Sequence, residues 1–161
     1  MTIHQINELL EKKSKELKSL QHQFHALNKE ISELRDTLYH QEMIEFVNYL
    51  QLDEVLTFDN YYNLRGVSTS PKANGTFHSG EKIKIVKKNK KSIVVEVVKK
   101  HQRMWDDAQK KSVIVGETNP GWKIRVELDS FFHFYLKNPI NKSAFYSYIK
   151  RKQALENLIS E

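Results

Sequence analysis

Residues 80–100 read "GEKIKIVKKNKKSIVVEVVKK". Ile83 and Ile85, then Ile93, Val95 and Val97, recur at every second position on either side of the polar run "KKNKK". A period of two marks strands that bury one face, and a polar turn between two such runs predicts a β-hairpin. The strands are expected over 82–86 and 92–98. Further on, "KSVIVGE" (111–117) and "WKIRVEL" (122–128) carry the same signal, and Pro120-Gly121 between them predicts the turn of a second hairpin. In the last of these strands Trp122, Ile124, Val126 and Leu128 share one face, opposite Lys123, Arg125 and Glu127. So many short strands in so few residues predict a small antiparallel barrel.

Upstream the period changes. With Ile3 as position a of a heptad, the a positions are Ile3, Leu10, Leu17, Phe24, Ile31 and Leu38. The d positions are Ile6, Lys13, Leu20, Leu27, Leu34 and Gln41. Ten of these twelve are apolar, and neither Gly nor Pro interrupts them. A repeat of 3.5 residues sustained over so many turns predicts a helix that self-associates as a left-handed coiled coil. The competing arrangement folds the C-terminal helix back on the stripe. Lys13 and Gln41 weaken the seam and offer a means of fixing register. The apolar spacing leaves the heptad at Ile44, Phe46, Val47, Leu50 and Leu52, which predicts a helix end near Leu50 packed on the following domain.

Between these regions, "DNYYNLRGVSTSPKANGTFHSG" (59–80) is rich in turn-forming residues and is expected to be irregular, with a short strand possible around 61–67. After the strands, "DSFFHFYLKNP" predicts an aromatic turn or helix with Asp129 as its N-cap. A final helix is expected from about Pro139 to Ile159, with Asn138 as cap and Pro139 in its first position. The expected class is α+β. Residues 1–50 form a coiled-coil helix, 51–80 a junction and linker, 81–128 a basic antiparallel barrel, and 129–161 an aromatic turn and amphipathic helix.

Composition excludes several kinds of chemistry. The 161 residues contain no cysteine, which removes disulfides, thiolate zinc sites and cysteine nucleophiles. No Walker, lipase-elbow or zincin motif occurs. His22 and His25 fall on the outside of the coiled coil. His101 with Asp106 and Asp107 lacks the further ligand that a metal site needs. No enzyme activity, metal or cofactor is expected. The N-terminus lacks the apolar core of a signal peptide and no run of about 18 apolar residues occurs, so the expectation is a soluble, cytoplasmic protein with no membrane partner.

Charge is unevenly placed. Residues 1–56 carry a net −4 and residues 81–127 a net +7, within a total of +6. Lysine dominates this basic segment, and a lysine is a mobile point charge, poorly suited to reading base edges. The pattern therefore points to phosphate backbones met without sequence preference. The candidate contacts are Lys82, Lys84, Lys87, Lys88, Lys90 and Lys91 on the first hairpin and Lys99, Lys100 and Arg103 beyond it. Trp105, Lys110, Lys111, Lys123 and Arg125 complete the set, with Trp105 able to stack on a base. The bland alternative is a solvated face, because lysine on an edge strand protects against aggregation.

"GEKIKIVKKNKKSIVVEVV" followed by "GWKIRVEL" resembles the strand order of KOW- and Tudor-type SH3-like barrels. Gly80, Glu81, Ile83 and Ile85 match the opening of their first strand, and Lys91, Ile93 and Val95 the next. "KKNKK" stands where the KOW pattern has a glycine. The resemblance covers residues 80–128 and implies binding to nucleic acid or protein tails. The layout as a whole is similar to small nucleoid-associated and phage-encoded DNA-binding proteins, which implies a place on the nucleoid if the chain is bacterial or phage-encoded. The leading expectation is a non-enzymatic protein that binds double-stranded DNA rather than RNA and gains avidity by self-association. The alternative is an adaptor or inhibitor that engages a host protein through its coiled coil or barrel.

Overall fold

The computed structural model describes residues 1–68 and 75–160. The chain divides into two compact units, Met1–Glu42 and Met43–Glu161. The first is helical from Ile3 onward and belongs to α1 (Ile3–Tyr49). Every a and d residue from Ile3 to Leu38 that is apolar is exposed in the single chain, at 42–81% of full accessibility. A stripe this narrow has nothing within its own unit to cover it.

The second unit begins with the last turns of α1 and continues through β1 (Val55–Thr57), β2 (Tyr62–Asn63), β3 (Gly66–Ser68) and β4 (Thr76–Phe77). Next come β5 (Lys82–Lys88), β6 (Ser92–Asp106), β7 (Lys111–Thr118), β8 (Lys123–Glu127), α2 (Leu128–Lys137) and α3 (Pro139–Ser160). The α+β class is as expected. All described strand pairs are antiparallel. The main sheet runs β1-β5-β6-β8-β3, and β2 pairs with β4 apart from it. Among the described residues the sheet is open: no bond joins β1 to β3. The alternation of apolar residues specifies one covered face, but it does not specify whether the two edges meet.

Register explains the core. Leu56, Ile83 and Val97 stand side by side on β1, β5 and β6, and Ile85, Val95 and Ile124 form the next row. All six are buried, and burying each aliphatic side chain contributes about 1.5–3 kcal/mol. α2 lies against β6 and β8. Its Phe131, Phe132 and Tyr135 join Phe145 of α3 around the fully buried Phe46 of α1, whose ring lies 4.9–6.2 Å from theirs in tilted or edge-on contact. Such geometry suits the quadrupoles of aromatic rings. Glu45 of α1 accepts from Lys152 of α3 at 2.7 Å, so this helix end is tied by charge as well as by packing.

Two local expectations change. β7 does not form a hairpin with β8; it pairs with the second half of β6, from Lys100↔Thr118 to Asp106↔Lys111. β8 pairs with the first half of β6, from Ser92↔Glu127 to Glu96↔Lys123. The turn chemistry of Pro120-Gly121 is real, with Gly121 at φ 62°, but it bridges two strands that succeed each other along β6. The second change concerns Asp129, which lies within the first turn of α2 rather than capping it; residue 127 precedes the helix without a side-chain cap. The Asn138 cap is present, its Oδ1 accepting from the Ile140 and Asn141 amides at 2.9 and 3.2 Å. The expected strand near 61–67 is divided between β2 and β3, and residues 69–74 of the expected linker lie outside the described residues.

Candidate nucleic-acid interface

The face of the sheet opposite the core is built by the same ladder. Lys84 of β5, Glu96 of β6 and Lys123 of β8 form one cross-strand row, and Lys87, Val94 and Arg125 form the next. Neighbouring strands lie about 4.8 Å apart, so basic side chains two strands away stand roughly 10 Å apart across this face. Lys90 and Lys91 sit in the β5–β6 turn at its margin. Lys87, Lys90, Lys91, Lys123 and Arg125 are exposed. For Lys87, Lys90, Lys91 and Arg125 no ion pair occurs among the described residues.

A bulge decides which side Lys87 and Lys88 occupy. The β5–β6 register slips between Ile85 and Lys87, leaving Val86 extra, and Lys87 joins the outer row. Lys88 is turned the other way, and its Nζ donates to the Leu50 carbonyl at 2.7 Å, where α1 ends. This lysine closes a helix C-terminus, where a cation complements the helix dipole.

A second bulge has the larger consequence. The register slips again between Lys82↔Lys99 and Ile83↔Val97, leaving Val98 extra. Lys99 therefore stands with Lys82 on the outer face, and Lys100, which simple alternation places outside, turns inward. Its Nζ donates to Glu81 Oε2 at 2.9 Å and to the Thr76 carbonyl, and lies 4.5 Å above the Phe77 ring. Glu81 is wholly buried. It also accepts from the His78 and His101 amides, both at 3.0 Å. Burial works to raise the Glu81 pKa, but the Lys100 ammonium and the two amides outweigh it and hold the carboxyl below its ordinary range. Sequence reasoning used Glu81 only as the opening of a strand; an acid set among so many lysines was the available signal of a buried pair.

Lys84 and Lys99 of the outer face are partly neutralised. Lys84 lies 3.8 Å from Asp53 and 4.0 Å from Glu96, and Lys99 lies 2.6 Å from Glu117. The hydrogen bond from Lys99, aided by the charges of Lys99, His101 and Lys82, draws the Glu117 pKa down against the opposing effect of desolvation.

Arg103, Trp105, Lys110 and Lys111 belong to a different place, the two-stranded ribbon of β7 and the second half of β6. Arg103 stands opposite Ile114 and Trp105 opposite Ser112, so they share one face of it. Trp105 is 61% exposed. At the turn Asp106 Oδ1 accepts from the Ala108 and Gln109 amides at 2.9 and 3.1 Å. His101 sits at the root of the ribbon, its Nε2 3.5 Å from Glu117, and Asp106 at the far end, so these two do not form a site. Trp122, expected on the core face, is only partly buried.

A cleft lined by Glu54, Asp59, Tyr62, Phe134, Lys137 and Asn138 opens beside β1, with the Lys137 ammonium 4.8 Å from the Tyr62 ring. Among the described residues no helix is long and apolar enough to cross a membrane. Set against known protein families, curated proteins and solved structures, the chain matches none.

Proposed function

We propose that this chain is a non-enzymatic protein that binds double-stranded DNA through its phosphates, with little sequence preference, and multiplies weak contacts by self-association. The observation that carries the reading is the cross-strand alignment of Lys87 with Arg125, both exposed, beside the exposed Lys90 and Lys91 on the face of the sheet opposite the core. Backbone binding needs only mobile cations on a firm support, and each phosphate neutralised releases counterions. The inward-turned Lys88 and Lys100 serve the support rather than the contact. Self-association through α1 gives two or more such faces per particle, and the second contact benefits from a raised effective concentration. The likeness of residues 80–128 to KOW- and Tudor-type barrels is consistent with this role, and we extend the proposal to a barrel-like closure of the sheet. The place of action would be the cytoplasm, and the nucleoid if the chain is bacterial or phage-encoded.

The test is competition for the full-length protein between labelled random duplex, single strands and structured RNA. Duplex DNA is expected to win. Equal displacement by RNA would replace DNA with nucleic acid in general, and no binding at low salt would end the proposal. A second reading has its own observation. The ribbon exposes Met104, Trp105, Ile114 and Val115; of its four basic residues Lys100 is bound to Glu81, and Arg103, Lys110 and Lys111 are set among Asp106, Asp107 and Glu117. A neutral apolar ribbon suits a protein partner better than phosphate. Recovery of one stoichiometric protein after nuclease treatment, lost on Trp105→Ala, would favour that adaptor reading.

A further inference from the structure

We infer that a second copy of this chain covers the apolar stripe of α1 in parallel and in register, as a two-stranded coiled coil. The inference rests on the self-association proposed above and adds its orientation. Leu20, Leu27 and Leu34 at d, with Ile3 and Ile31 as the β-branched residues at a, suit two strands, and the flanking charges choose the direction. Glu30 occupies a g position and Arg35 the following e position. Five residues apart on one helix, they cannot reach each other, since only positions three or four apart are neighbours. Neither makes an ion pair among the described residues, whereas Lys13–Glu16 and Lys29–Glu33 are joined within the helix at 2.7 and 3.8 Å. In a parallel pair each g position lies beside the next e position of the partner, so Glu30 of each copy meets Arg35 of the other, twice over.

The antiparallel alternative that sets every a position against a d position places Leu17 opposite Leu27 and Leu10 opposite Leu34. It also places the g positions together along one flank, bringing Glu16 beside Glu30 twice there, and leaves Arg35 beside Asn7 on the other. Like charges there disfavour it. Lys13 at d speaks against a parallel pair, because it brings two ammonium groups together. Its Nζ is already held by Glu16 Oε2 at 2.7 Å, which draws the charge from the seam toward its flank. A parallel pair brings the two copies of Glu42 together, so both sheet-bearing units start from the same end of the coil.

The absence of cysteine makes the orientation directly readable. Lys13→Cys and Ile31→Cys are prepared separately in the full chain, mixed through denaturant, refolded, oxidised mildly and weighed intact by mass spectrometry. A parallel, in-register pair yields 13–13 and 31–31 disulfides and no mixed species. An antiparallel pair yields the mixed 13–31 species, which overturns the orientation while leaving self-association standing. A native mass of one chain for the unmodified protein overturns self-association itself, and a native mass above two chains overturns the two-stranded form. As a check independent of disulfides, Glu30→Arg and Arg35→Glu should each weaken association several-fold, and the double swap should restore it. None of these readouts uses nucleic acid, so their failure is distinct from a failure of DNA binding.

Discussion

Phe24 and Phe46 lie on the same helix and meet opposite surroundings. Phe24 is 62% exposed, and Phe46 is completely buried among Phe131, Phe132, Tyr135 and Phe145. Helix propensity is satisfied at both places. The difference lies in what covers the apolar face: the chain's own aromatic residues around Phe46, and nothing of its own unit around Phe24. One region carries its own core, and the other leaves its apolar stripe exposed within its own unit, the surface we propose a second copy covers.

The largest effect should come from breaking the self-sufficient side. Phe46→Ala is expected to cost the second unit about 3–5 kcal/mol, read by urea unfolding followed through tryptophan fluorescence. Phe24→Ala should leave that transition within about 0.5 kcal/mol and instead raise the concentration at which the protein dissociates. Equal losses from the two changes would abolish the distinction.

Glu81→Gln tests the buried pair within the same unit. Leaving Lys100 without its carboxylate should cost about 3–5 kcal/mol at neutral pH. Because the folded Glu81 pKa lies below its unfolded value of about 4.3, its contribution is fully present above that pH and is lost as pH falls through the folded value. The variant should therefore lose less stability than the parent over that acidic range, which acid titration of the unfolding midpoint would show.

On the dependent side, Leu20→Glu with Leu27→Glu should give a folded second unit and a single-chain mass. Apparent affinity for a long duplex should fall by about 10²-fold or more as the second contact is lost. Unchanged affinity would detach binding from association. The smallest effect belongs to Trp105→Ala, expected to shift unfolding by no more than about 0.5 kcal/mol because the indole is exposed on the ribbon.

These contrasts follow how much of the molecule its residues announce. Periodicity located α1, both long strands of the first hairpin and the capped start of α3, because each rests on local rules. It misplaced Lys100 and Lys88, since one extra residue, Val98 or Val86, reverses the alternation without altering composition. It joined β7 to β8 because Pro120-Gly121 is a turn signal at close range. The true partner of both strands is β6, whose 15 residues are long enough to serve them in succession. The outer basic face was legible as a charge excess, but its rows depend on register, and register emerges only with the sheet.

The central claim is that this face meets phosphates. It is tested most directly by the salt dependence of duplex binding for the full-length protein beside a variant with Lys87, Lys90, Lys91 and Arg125 changed to Ala. The account predicts a steep fall of log affinity with log salt for the parent, and a slope shallower by about 0.9 for each phosphate contact removed in the variant. Identical slopes, or no binding by the parent at low salt, would contradict it.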